Sequence, residues 1–279
     1  MKKIIVTIDA IAFNDNALKY ALSIAKQSGG MVLGVFLHDL SYVYADLPGI
    51  FDLVPVEYNH IIEKQHEDSK KIIESMRLFN DVCNEYNVKH KAHVYDGTGI
   101  VDFLIKESVF ADLLVLDEQM SFAAHQAGHI PPFVSDILEE AFCPVLVIPG
   151  KYVDVENVFL CYDGSPSSVK AIKMYSYLFP EWNNKNTTLV SFNSTASTHL
   201  TNSQNIKDLL NQRFQNLKLD VEHEKRAGDS MLSYFKLKEE KALIVMGAYG
   251  RNAFSRLLKK STANSIITNT EVPVFITHE

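Results

Sequence analysis

Cysteine is scarce in this chain of 279 residues: Cys83, Cys143 and Cys161 are all it has. An odd number of thiols, at no spacing that closes on a metal, excludes a disulfide framework and a zinc ribbon. It reads as reduced thiols buried in a cytosolic core. Long apolar runs are missing too; none approaches the ~18 residues a membrane span requires. The opening stretch Ile4–Ile8 meets an acid at Asp9 too early for a leader segment and reads as a first strand. There is no G-x-G-x-x-G, no G-K-[ST] and no G-x-S-x-G. Dinucleotide oxidoreduction, P-loop chemistry and the hydrolase elbow therefore have no support.

Basic charge is missing where a nucleic-acid binder would need it. Residues 1–150 carry 11 Lys and Arg against 21 Asp and Glu, a balance of −10, and residues 151–279 carry 16 against 13, a balance of +3. No basic face or tail stands ready to neutralise a phosphate backbone, so nucleic acid is not the expected partner. The asymmetry leaves room for a small anion in the second half and implies that the halves do different things.

What the chain does have is a repeat. Ile4-Ile5-Val6-Thr7-Ile8-Asp9 is matched by Val158-Phe159-Leu160-Cys161-Tyr162-Asp163, each a β-branched or aromatic run ending in an acid. Ala111–Asp117 is matched by Lys241–Gly247, and Cys143-Pro144-Val145-Leu146-Val147-Ile148 by Val272-Pro273-Val274-Phe275-Ile276-Thr277. The boundary falls near Pro149-Gly150, giving units of 1–149 and 155–279, each long enough to bury its own core.

Within each unit strands alternate with helices. Strands are expected near 3–8, 30–38, 88–94, 112–117 and 144–148, then near 157–162, 187–192, 219–225, 242–246 and 273–277. Helices are expected near 13–28, 58–86, 98–109 and 132–141, then near 165–178, 203–216, 228–238 and 262–270. The central strands are apolar on both faces, which predicts parallel sheets covered by helices on both sides. Such sheets bind ligands beyond the carboxyl ends of their strands, where the strand order reverses. Asp9 and Asp117 would stand there in the first unit, Asp163 and Gly247 in the second.

The second unit carries the motif with chemical content: Val245-Met246-Gly247-Ala248-Tyr249-Gly250-Arg251, eight residues, then Lys260-Ser261-Thr262. Two glycines leaving a strand let backbone N–H groups approach a phosphate. A helix opened by Ser261, a natural N-cap, offers free N–H donors and a positive dipole end. Arg251, Arg256, Lys259 and Lys260 add cationic charge. A tight turn followed by an ordinary cap is the bland alternative.

This segment resembles the ATP-binding signature of the universal stress protein family, G-x2-G-x9-G-[S/T]. Gly247 and Gly250 match its first two glycines and Ser261 its hydroxyl, while Lys260 stands where the third glycine belongs. Asp163, a glycine at 228 opening the third helix of the unit and the closing Pro-Val strand extend the resemblance, which spans both units. It implies tandem doubly wound sheets of strand order 3-2-1-4-5 and an adenine nucleotide, ATP or AMP, with or without magnesium. It further implies that Asp163 meets the adenine or ribose, that Phe192 lies near the base, and that Gly247, Gly250, Ser261 and Thr262 cradle the phosphates; Met246, Arg251 and Lys260 complete the expected nucleotide-binding set. Lys260 either obstructs the phosphates or supplies a charge contact.

The first unit has lost the signature: Asp117 replaces the first glycine, Met120 the second, and Pro132 stands near the hydroxyl position. No nucleoside triphosphate is expected there. The apolar insertion from Asp39 to Tyr58 is read as a lid, a lipophilic pocket, a dimer contact or a segment packed over its own domain. His125 and His129 are four apart, as zinc ligands can be, but Gly128 makes the stretch a loop. His38-Asp39 and Asp163-Ser165 lack a third catalytic group. The expectation is a cytoplasmic binding module rather than an enzyme, with slow hydrolysis the most it would do. Its alternative is a nucleotide-independent scaffold with a hydrophobic ligand near 39–58. The resemblance also implies that the closing strands, Val145–Ile148 and Val274–Thr277, pair within the chain as a pseudo-dimer, which would cover two sheet edges; homodimerisation beyond that is left open.

Overall fold

A computed structural model describes residues 2–40, 55–122, 129–193, 200–223, 229–238, 241–247 and 260–277. The first half runs β1 (Lys3–Asp9), α1 (Asn16–Ser28), β2 (Met31–Asp39), α2 (Pro55–Glu85), β3 (Lys89–Gly97), α3 (Ile100–Ser108), β4 (Leu113–Asp117), α4 (Pro132–Glu140) and β5 (Val145–Ile148). The second runs β6 (Asn157–Cys161), α5 (Pro166–Leu178), β7 (Asn186–Asn193), α6 (Ser203–Asn211), β8 (Leu217–His223), α7 (Asp229–Lys236), β9 (Ala242–Gly247), α8 (Lys260–Asn269) and β10 (Val274–Thr277).

The strand order is β3-β2-β1-β4-β5-β10-β9-β6-β7-β8. Each half is thus a parallel sheet of order 3-2-1-4-5. The two are joined where β10 pairs antiparallel with β5, Val274 opposite Val147 and Ile276 opposite Val145. All pairings within a half are parallel, so the antiparallel junction reverses the second half. The carboxyl ends of the two sets of strands therefore lie at opposite ends of the sheet.

Strand residues alternate between two buried layers, as a period of two requires. Ile4, Val6, Leu243 and Val245 face the layer under α1, α2, α5 and α6. Ile5, Ile244, Phe159 and Phe192 face the layer under α3, α4, α7 and α8. Apolar residues at helical spacing complete each layer. In α2, Ile72, Met76, Phe79 and Cys83 face the sheet, while Glu74 and Arg77 pair in solvent. Across the junction, Trp182 donates its indole N–H to Gln27 Oε1 at 2.6 Å. Tyr20 stacks obliquely on Tyr152 at 4.6 Å.

Three details depart from expectation. The helix from Ser203 ends at Asn211 rather than near 216, because Phe214 turns inward to stack on Tyr175. A short 3-10 helix, Pro180–Asn184, seats Trp182 and was not foreseen. The stretch Glu63–Arg77, whose charge-rich sequence reads as a solvated helix face, buries Asp68 against His38, 3.4 Å from its Nε2. Most of the 39–58 insertion and His125 lie outside the described residues.

Candidate functional site

The second-half site is framed by the ends of β6 and β9 and the start of α5. Pro166 opens α5, where a missing N–H costs nothing. Ser165 caps the helix, its hydroxyl accepting from the Ser168 N–H at 3.2 Å. Asp163 accepts from the Ser165 N–H at 3.0 Å, so one carboxylate oxygen is engaged in shaping the turn. Gly164 has φ +81° and could not carry a Cβ, which would lie 2.8 Å from the Thr201 side chain. Tyr162 donates its hydroxyl to the Thr201 carbonyl at 2.7 Å, pinning the same loop.

Gly247 ends β9 against α5. A Cβ there would overlap the Ser167 carbonyl and stand 2.9 Å from the Ser168 nitrogen. The absence of a side chain at 247 is therefore demanded first by backbone packing. Met246 is fully buried. Phe192, 3% exposed, packs its ring against Tyr234 at 5.7 Å and Phe235 at 6.5 Å, as a core group. α8 begins at Lys260, which puts Ser261 and Thr262 in its first turn rather than Ser261 at the N-cap. Thr262 is partly buried. Gly250 and Arg251, like the glycine at 228, lie outside the described residues. The structure thus brings Asp163, Gly247 and the α5 N-terminus together.

The corresponding place in the first half is built differently. Asp9 Oδ1 accepts from the Ile11 and Ala12 N–H groups at 2.9 and 3.1 Å, which makes it a turn-former. Six residues, 10–15, separate Asp9 from α1, whereas only Gly164 and Ser165 separate Asp163 from α5. The longer connection leaves a cavity of about 260 Å³ between the ends of β1 and β4 and the start of α1. Asp117 lines it, its Oδ1 accepting from the Gln119 N–H at 2.8 Å. Burial pushes the Asp117 carboxyl up, and that hydrogen bond offsets only part of the shift.

Sequence reasoning missed the neighbouring Glu118. Burial, then Asp117, then Glu271 from the second half raise its carboxyl to about 7. It also missed the partners of His38, whose Nδ1 lies 2.9 Å from Asp96. The first depends on burial in the assembled fold and the second on residues distant in the chain, and no local pattern announces either. Among the described residues, no group of three or more His, Cys, Asp or Glu converges on a metal-sized point, and no helix is long and apolar enough to cross a membrane.

Comparison with known proteins places this geometry. A universal stress protein of Synechocystis sp. is 23% identical over 290 residues, covering 98% of this chain and 99% of its own. The crystal structure of a universal stress protein from Archaeoglobus fulgidus superposes with a TM-score of 0.71 at 14% identity, covering 99% of this chain and 98% of that one. A putative universal stress protein from Pseudomonas aeruginosa superposes at 0.61 and 14% identity, covering 100% and 93%. These two structures share the fold over the whole chain. The model of the universal stress protein family matches residues 155–278, which hold the second half of the sheet.

Proposed function

We propose that the chain is a cytoplasmic two-unit binding module, divided near 149–155, that holds an adenine nucleotide in its second unit. The observation that carries this reading is the meeting of Gly247 with the N-terminus of α5 at one strand-order reversal. Gly247 leaves β9 beside the N-terminus of α5, and α8 starts with Lys260-Ser261-Thr262 after the same strand. Helix N-termini favour anions through free N–H groups and aligned dipoles. The half that contains them carries +3, against −10 in the other. Asp163, at the carboxyl end of β6, is an acceptor of the kind a ribose hydroxyl or an adenine amine would meet. With no cluster of protein ligands for a metal among the described residues, magnesium would arrive on the nucleotide's own phosphates. Binding rather than turnover is the proposed role: the carboxylate beside these groups, Asp163, spends an oxygen on shaping the turn before α5.

The nucleotide-independent scaffold is kept as a second reading because of Gly247. Its glycine is accounted for by contact with the Ser167 backbone whether or not a phosphate is present. Calorimetric titration of magnesium ATP into the full chain separates the two. Saturable binding of one nucleotide per chain, weakened about tenfold by Ser261→Ala, supports the nucleotide site. Absence of heat up to millimolar ATP leaves the scaffold. Lys260→Gly then reports whether the lysine obstructs (tighter binding) or contacts (weaker binding).

A further inference from the structure

Among the described residues of the first half, two cavities lie beyond the carboxyl ends of the strands. One, about 260 Å³, is walled by Ile8, Asp9, Asn14, Asp117, Gln119 and Met120. The other, about 300 Å³, is walled by Asp39, Ile100, Asp102, Phe122, Phe133 and Asp136. Ser121 lines both, so the two lobes are neighbours that share a wall residue. Neither lobe has a Lys, Arg or His among its described lining residues.

The lining selects its occupant. An anion would face carboxylates in both lobes. The strand end that carries Gly247 in the second half carries Asp117 here, and Pro131 and Pro132 at the head of α4 supply no N–H donors. A neutral apolar molecule would suit Ile100, Phe122 and Phe133. It would also strip water from carboxylates and leave them without counter-charge, which is costly. An organic cation satisfies both surfaces, its charged ends at the carboxylates and its methylene chain along the apolar walls. Asp9 and Asp117 each spend Oδ1 on backbone N–H groups, and a carboxylate has further lone pairs on its second oxygen. The −10 balance of the half raises the local concentration of cations.

We propose that these two neighbouring lobes together bind a linear aliphatic di- or polyamine, one ammonium at Asp117, another in the lobe of Asp102 and Asp136, and the chain crossing the shared wall at Ser121. The site is independent of the nucleotide reading, since it lies at the opposite end of the sheet from Gly247.

Spermidine titrated into the full chain by calorimetry, with ATP absent, tests the proposal. The expected result is saturable binding of one molecule per chain, weakened about tenfold by Asp117→Asn. Asn at 117 keeps the acceptor for the Gln119 N–H, so the fold is retained. Asp136→Asn, an exposed position, should weaken binding as well. Glu85→Gln, on the outer face of α2, should leave it unchanged. No heat would overturn the proposal. So would equal binding of a neutral diol of matching length, or affinity that follows total charge whichever acid is removed, which marks diffuse counter-ion attraction.

Discussion

Replacing Gly247 by alanine separates packing from ligand binding at the centre of the family signature. The added Cβ would overlap the Ser167 carbonyl and approach the Ser168 nitrogen to 2.9 Å. The obstacle is helix backbone, which cannot swing aside as a side chain can, so either β9 or the first turn of α5 must move. Overpacking of this kind costs about 1–3 kcal/mol. Displacing α5 also strains the Ser165 cap, worth about 1 kcal/mol. A loss near 3 kcal/mol is expected, which lowers the melting temperature of a chain this size by about 6–12 °C. Urea unfolding of the ligand-free protein should show an earlier midpoint at unchanged slope. Ser261→Ala, measured beside it, should leave the midpoint where it was and alter only nucleotide affinity. A Gly247→Ala protein as stable as wild type would refute the packing account and return that glycine to the ligand alone.

Glu118 and the cysteines supply two further tests. The Glu118 carboxyl sits at about 7 in the folded chain against an ordinary 4.5. With the folded value above the unfolded one, its protonated form favours the fold. That stabilisation is fully present below about 4.5 and is lost as pH rises through about 7. The group is partly exposed, so screening leaves about 1 kcal/mol. Glu118→Gln should be more stable than wild type by that amount above pH 7 and equal to it in mild acid. Parallel stability–pH curves for the two proteins would contradict this. Burial lifts the Cys83 and Cys143 thiols to about 12 and raises Cys161 further. A chromogenic disulfide reagent at mildly alkaline pH should find no reactive thiol in the native protein and three after unfolding. Fast native labelling of any one would show that its surroundings open.

Much of this molecule follows from local sequence. Strand and helix periods, the acid-ended runs at Asp9 and Asp163, and the twin Pro-Val segments dictate ten strands in two equivalent sets, because burial on both faces of a strand and one face of a helix leaves a readable pattern. The loss of the glycine signature in the first half is equally local: Asp117 and Pro132 are visible as residues. What each signature residue does was decided by tertiary structure. Gly247 is a glycine because another element's backbone passes over it. Phe192 is packed under α7, and Asp163 shapes the turn before α5. Asp68 is buried on a face that reads as solvated because His38 approaches it from the sheet. The cavity at Asp117 exists because four extra residues before α1 hold that helix away from β4. The raised Glu118 carboxyl comes first from burial, with Asp117 next and a smaller push from Glu271, which lies in the other half. Periodicity is a property of neighbours along the chain, and close approach is a property of elements that meet only when the sheet is assembled.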